Sequence, residues 1–264
     1  MASRHLMKTL NIFFVSDHTG LTAEAVGVSL LSQFSGLDWK TRTVPFIDTA
    51  DKAAALADQI NQSQPAMIIS TLADARLRET LKASGLMVLD VFEHMLPSLA
   101  AQLDSEPTAV HGLTHSMNAQ YDARIDAVNY ALAADDGQKP ERMDEADLIL
   151  VGVSRAGKTP VSLYLAMQYG IRAANYPLTP EDFARGNLPD EVMRNLPRVR
   201  GLTLSAERLA AIRQARYPGS RYAGLDECRK ELTAADALFL HHGIPVMDST
   251  RMSVEEIAAR LRNL

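Results

Sequence analysis

Apolar and polar positions along the chain follow two alternating rhythms. Residues 11–16 (NIFFVS) form a short apolar run that ends in Asp17-His18-Thr19-Gly20, the pattern of a strand leaving its carboxyl end into a loop. Residues 22–34 then place Ala23, Val26, Leu30 and Phe34 at helical spacing. Residues 41–47 (TRTVPFI) alternate and are β-branched, which predicts a strand, and Pro45 assigns it to a sheet edge. Helices are predicted over 51–62 and 74–83, and strands over 66–70 and 86–91. Strands alternating with helices imply a mainly parallel sheet with covering helices.

After Leu99 the rhythm breaks. Residues 104–122 are polar and lack a period, and 121–134 reads as a helix with Ile125, Val128, Ala131 and Leu132 on one side. The charged stretch 135–147 (DDGQKPERMDEAD) contains Gly and Pro and is the predicted domain boundary. The expected domains are therefore 1–140, an α/β unit, and 141–264. A second α/β pattern follows. Residues 148–153 (LILVGV) are a continuous apolar strand, as expected for the centre of a parallel sheet. Further strands are predicted at 173–177, 199–204 and 245–248, and helices at 160–169, 206–214, 224–241 and 254–264. Residues 179–198, with three prolines, read as a surface insertion.

At the end of strand 148–153 the chain reads Gly152-Val153-Ser154-Arg155-Ala156-Gly157-Lys158-Thr159, a full match to G-x-x-x-x-G-K-[ST]. The chemistry needs these residue types. Glycines let backbone amides turn inward, and these amides, with the helix N-terminus behind them, cradle phosphate oxygens. Lysine reaches the outer phosphates as a point charge, and the hydroxyl of Thr159 coordinates Mg²⁺. By composition alone about one such match arises per hundred random chains of this length. A strand before the motif and an apolar-rich helix after it make chance rarer still. Pro160 falls in the first helical turn, where a missing N–H does no harm, and Gly170 ends the helix.

Composition changes the picture little. The 264 residues are 47% apolar and 22% charged, which excludes disorder and fibrous repeats as the main state. A lone Cys228 excludes an internal disulfide and a multi-thiolate metal site. No apolar run approaches a secretory core or a membrane span, so the expectation is a soluble, cytoplasmic chain without membrane partner. The net charge of −5 argues against nucleic acid as a partner. Charge is unevenly placed. Residues 1–140 hold 10 Lys and Arg against 16 Asp and Glu, whereas 141–264 hold 17 against 16, and 15 of those 17 are arginine. Arginine's rigid fork suits phosphate and carboxylate; a codon bias is the bland account.

Weaker candidates remain. Asp17, His18 and Thr19 occupy a strand-to-helix loop, a common ligand position in open α/β sheets, or an ordinary polar loop. His111 and His115 stand four apart in an apparent loop without a Cys nearby, which favours phosphate or partner contact over a metal site. Asp135 and Asp136 are candidates for Mg²⁺ or a solvated helix end. Asp248 ends the strand PVMD, where phosphate-loop proteins often keep an acid. Arg213, Arg216 and Arg221 resemble lid arginines, with an exposed basic face as the alternative. Tyr164, Tyr169 and Tyr176 read as core or core edge.

Residues 152–178 (GVSRAGKTPVSLYLAMQYGIRAANYPL) resemble the regulatory proteins of pyruvate, phosphate dikinase and phosphoenolpyruvate synthase. So do VSDHTGLTAEAVG (15–27), HSMNAQYDARIDAVNYALAADDG (115–137), GLTLSAERLAAIR (201–213) and DSTRMSVEEIA (248–258), in the same order. The resemblance implies an α/β N-terminal domain and a kinase-like C-terminal phosphate-loop domain. It implies a bifunctional enzyme that phosphorylates a target threonine with ADP and removes the group with inorganic phosphate, releasing pyrophosphate. YDARIDAVNYALAADDG and RYAGLDECRKEL, with Cys228-Arg229, look more like the synthase branch, so phosphoenolpyruvate synthase is the expected protein partner and pyruvate, phosphate dikinase the alternative. The implied ligands are ADP, phosphate and Mg²⁺, held by Gly152 to Thr159. The implied catalytic residues are Lys158, Arg155 for the transferring charge, and Asp248 as proton acceptor. A homodimer is a candidate assembly. An ATP-dependent metabolite kinase and a non-catalytic nucleotide sensor are the competing readings.

Overall fold

The computed structural model describes residues 9–36, 38–108, 110, 119–137 and 140–263. His111 and His115 lie outside them. The chain forms two compact units, 1–116 and 117–264.

The first unit alternates β1 (Leu10–Ser16), α1 (Leu21–Leu31), β2 (Trp39–Val44), α2 (Ala50–Asn61), β3 (Ala66–Thr71), α3 (Ala75–Ala83), β4 (Met87–Asp90) and α4 (Val91–Leu103). The four strands are all parallel, in the order β2-β1-β3-β4. β2 is an edge strand, as its proline predicted, although Pro45 itself falls just past the strand. The two-residue period of β1 divides the core. Phe13 and Val15 pack with Leu56, Ile60, Leu77 and Leu81, while Ile12 and Phe14 pack with Ala23 and Ile69 on the other face. Caps set the helix starts: Thr49, Asp74 and Asp90 each accept a backbone N–H of the first turn.

The second unit opens with α5 (Ala119–Ala133) and continues through two 3-10 turns to β5 (Leu148–Gly152), α6 (Lys158–Tyr169), β6 (Ala173–Pro177), α7 (Pro180–Arg185), α8 (Asp190–Met193), β7 (Val199–Thr203), α9 (Ala206–Arg216), α10 (Leu225–His242), β8 (Val246–Asp248) and α11 (Val254–Leu261). Its sheet is also four parallel strands, in the order β6-β5-β7-β8. β5 is buried along its whole length, as a central strand should be. The α/β class with mainly parallel sheets is as the sequence predicts.

Two expectations need correction. The division falls at 116/117 rather than 140/141, because α5 packs along α6. Ala127 and Ala131 are small enough to seat against Ala166, so the charged stretch after α5 is a turn inside the second unit. Residues 179–198 are also more than a surface insertion. Leu188 and Val192 join the main core, and Asp182 is fully buried as acceptor for the Tyr176 hydroxyl and the Thr179 backbone and hydroxyl.

Candidate active site

β5 delivers the chain to the carboxyl edge of its sheet between β6 and β7. The connections leaving β5 and β7 diverge there, which opens a crevice at this point in an open α/β sheet. The loop Gly152 to Thr159 fills it. A Cβ at Gly152 would lie 2.4 Å from the Leu202 carbonyl oxygen, so only glycine lets the loop start against β7. Gly157 has open space around it; its constraint is φ +93, the left-handed region. Arg155 is left-handed too, at φ 78, a strain that non-glycine residues tolerate mainly where function holds them. Gly157 caps α6 without a side-chain bond, leaving the first N–H groups of that helix for an anion. Pro160 sits within this first turn, as expected.

Lys158 is buried and turned back on the loop. Its Nζ donates to the carbonyls of Gly152 and Val153, each at 3.0 Å. Burial pulls its pKa down to about 8, and the carboxylates of Asp136 and Asp135 partly oppose that fall. Thr159 faces an oxygen-rich corner. Its Oγ1 donates to Asp135 Oδ1 at 2.9 Å, and Asn175 from β6 donates to both Asp135 Oδ1 and Thr159 Oγ1. Asn175 Oδ1 accepts the Asp136 N–H at 3.3 Å, which pins the 3-10 turn of Asp135–Gly137 to the sheet. The Thr159 hydroxyl and the Asp135 carboxylate are hard oxygen donors of the kind Mg²⁺ takes, while Asn175 turns its NH2 group to them and holds them in place.

Arg213 has a different place from the one its position suggested. It is completely buried; its guanidinium grips Glu231 at 2.6 and 3.0 Å and donates to the Ser154 carbonyl at 3.1 Å. It anchors the loop rather than closing over it. Arg216 and Arg221 are exposed, and Arg221 pairs with Glu227 at 3.8 Å. Cys228 is buried beside Arg213, and burial raises its pKa.

Asp248 is not gathered with these groups. It ends edge strand β8, two strands or about 10 Å from β5. Its carboxylate accepts from Thr250 N at 2.8 Å and Thr250 Oγ1 at 2.5 Å, bonds that hold its pKa below the usual range. The neighbouring Ser249 reaches the loop instead, donating to the Ala156 carbonyl at 3.4 Å.

The fit to a phosphate-handling protein has an independent counterpart. Residues 12–261 match the kinase/pyrophosphorylase family. The chain belongs to that family. A relative from Thiobacillus denitrificans, named "Putative phosphoenolpyruvate synthase regulatory protein", is 55% identical over 97% of this chain and 99% of its own. Relatives of the same name from Laribacter hongkongensis and Neisseria meningitidis serogroup B are 46% and 45% identical, covering 94% and 95% of this chain and 94% of their own. The named function of these relatives is regulation of phosphoenolpyruvate synthase. Among the described residues, no helix is long and apolar enough to cross a membrane.

Sequence reasoning missed Asn175, hidden in the strand pattern AANYP, and Glu231, one carboxylate among many on α10. Asp17, His18 and Thr19 belong to the first unit, where they line a cleft of about 1690 Å³ beside β1 and β3. There Asp17 is buried and accepts the Ala73 N–H at 2.7 Å, tying the two strand ends together. Tyr164 and Tyr169 meet edge to face, 6.2 Å apart, at the rim of the second core.

Proposed function

We propose that the protein is a bifunctional regulator of phosphoenolpyruvate synthase. It moves the β-phosphoryl group of ADP to a threonine of that enzyme, and removes it with inorganic phosphate. The observation that carries the reading is a complete phosphate loop, with its lysine folded onto the loop carbonyls and its threonine set against Asp135 and Asn175, in a chain whose relatives bear that regulator's name.

In the forward direction the free N–H groups of α6 hold the β-phosphate. Lys158 exchanges the Gly152 and Val153 carbonyls for phosphate oxygens, which restores its full charge. Thr159 and Asp135, oriented by Asn175, would hold Mg²⁺, which would offset phosphate charge there. Arg155 faces the same space and stabilises the charge that develops on transfer. The threonine oxygen attacks phosphorus as the bridging oxygen leaves with AMP. Asp136 is exposed at the loop and is better placed than Asp248 to take the hydroxyl proton. In reverse, phosphate enters the same cradle and attacks the phosphothreonine; pyrophosphate forms and the threonine oxygen regains its proton. One anion site serves both directions because phosphoryl transfer rests mainly on positioning and electrostatics.

The test is incubation with phosphoenolpyruvate synthase and ADP, followed by intact-mass measurement. The expected result is one added phosphate on a threonine with AMP released, and loss of both activities in Lys158→Ala. Equal use of ATP points to a metabolite-type kinase. ADP binding without phosphorylation points to a sensor, and phosphorylation of pyruvate, phosphate dikinase instead reassigns the target.

A further inference from the structure

The loop accounts for the phosphates of a nucleotide and leaves its flat end without a place. Beside the loop, Ser154, Arg155, Tyr217, Ser220 and Tyr222 line a groove of about 480 Å³, within the usual range for small-molecule sites. One wall is the start of the phosphate loop. The other is the connection between α9 and α10.

That second wall is tied together by several contacts. The Arg213 guanidinium lies 3.9 Å from the Tyr222 ring centre and is itself locked by Glu231 and the Ser154 carbonyl. Tyr217 meets Tyr222 edge to face, with ring centres 6.1 Å apart. The Ser220 hydroxyl donates to the Tyr217 carbonyl at 2.9 Å, and the Tyr217 N–H donates to the Arg213 carbonyl at 2.8 Å. The Tyr217 side chain is nevertheless 48% exposed, a large aromatic surface held in place and left open. The five lining residues include one cation and no acid.

Asp135 and Asp136 lie on the other flank, whereas the Glu231 carboxylate on this side is taken up by Arg213. Asp135 and Asn175 border the loop from the β6 side, whereas Tyr217 and Tyr222 border it from the side of β7 and α9. In-line transfer puts the attacking hydroxyl and the departing nucleotide on opposite sides of the phosphorus. The acidic flank suits the hydroxyl, which leaves the aromatic flank for the nucleotide.

We infer that this groove is the nucleoside subsite, with Tyr217 stacking on the base and Arg155 at the join between nucleoside and phosphates. The inference rests on the ADP-dependent reading above and adds where the purine goes. Stacking on an aromatic residue is sequence-tolerant and strong enough to see by substitution.

The test is calorimetric titration, with Mg²⁺ present, of wild type, Tyr217→Ala and Tyr217→Phe against ADP and against inorganic pyrophosphate, which carries the diphosphate alone. Tyr217→Ala is expected to weaken ADP about ten-fold and leave pyrophosphate unchanged, and Tyr217→Phe to keep wild-type ADP affinity. Equal weakening of both ligands overturns the subsite, as does unchanged ADP affinity in Tyr217→Ala. In either case a wild type that binds ADP leaves the kinase reading standing. A wild type that binds pyrophosphate and not ADP overturns both. If Tyr217→Ala keeps ADP affinity and loses affinity for phosphoenolpyruvate synthase, the groove belongs to the protein substrate.

Discussion

Replacing Lys158 by methionine, which keeps most of the stem and removes the ammonium, should abolish two pH trends that run in opposite directions. In the folded protein burial pulls the Lys158 pKa from 10.5 to about 8. The unfolded chain therefore binds a proton there that the folded chain releases between pH about 8 and about 10.5. Stability rises with pH wherever the unfolded state binds more protons, so this lysine makes the protein more stable as pH climbs through that window. The ceiling is about 3 kcal/mol for a difference of about 2.5 units. Anion binding runs the other way. The loop needs the ammonium, whose population falls about ten-fold per pH unit once the pH exceeds the folded-state pKa. The terminal phosphate of ADP is already ionised above pH about 7 and adds no trend of its own. ADP affinity should thus fall about ten-fold between pH about 8.5 and about 9.5, while urea unfolding gives a rising stability over the same interval. Both are read against Lys158→Met, since the difference between the two proteins cancels other titrating groups. Parallel profiles for wild type and variant, in either measurement, would refute a lysine titrating near 8.

Three further outcomes follow from the packing around the loop. Gly152→Ala forces a methyl against the Leu202 carbonyl at 2.4 Å; it should cost about 1–3 kcal/mol in chemical denaturation, with weakened ADP binding. Arg213→Met leaves the Glu231 carboxylate and the Ser154 carbonyl without their donor and should destabilise by about 3 kcal/mol, with part recovered in Arg213→Met/Glu231→Leu; full stability in the single variant would mean the pair is idle. Asp136→Asn should lower the phosphorylation rate about a hundredfold with ADP affinity kept, while Asp248→Asn stays within about two-fold; the reverse ranking in a steady-state assay would return the proton acceptor to Asp248.

Much of the fold was legible because the strands carry one-sided or continuous apolar runs. β1 and β5 both read as continuous apolar runs because both faces of each are covered; in β1, Phe13 and Val15 fill one core and Ile12 and Phe14 the other. The helix α4 was not legible. Pro97 lies inside it, and none of its residues is buried, so its apolar positions make no stripe that a core would select. The placement of α5 was hidden for a related reason. Its contact with α6 is made through alanines, which carry no strong hydrophobic signal. At the site, local motifs were readable and long-range ones were not. Gly152 to Thr159 is contiguous and its chemistry follows from the string. Asp135 and Asn175 meet Thr159 from 24 and 16 residues away, and Arg213 meets Ser154 from 59. Only the order of strands in the sheet brings them together, and spacing along the chain does not encode that order.

The two sheets show how little of the function resides in the backbone. Both run second-first-third-fourth, and in both the first strand hands over to a helix capped by a left-handed glycine without a side-chain bond: Gly20 at φ 82 and Gly157 at φ 93. The next two residues are Leu21-Thr22 in the first unit and Lys158-Thr159 in the second. Where the second unit points a buried cation at its loop, the first presents an exposed leucine. Around Leu21 the charged groups are spent on structure. Asp17 holds the Ala73 N–H, and Arg78 donates to the Leu72 carbonyl at 2.5 Å. The shared topology supplies a crevice at the carboxyl edge of each sheet. Among the described residues, a buried ammonium folded onto the loop carbonyls and an acid-amide pair beside the following threonine set the second crevice apart from the first.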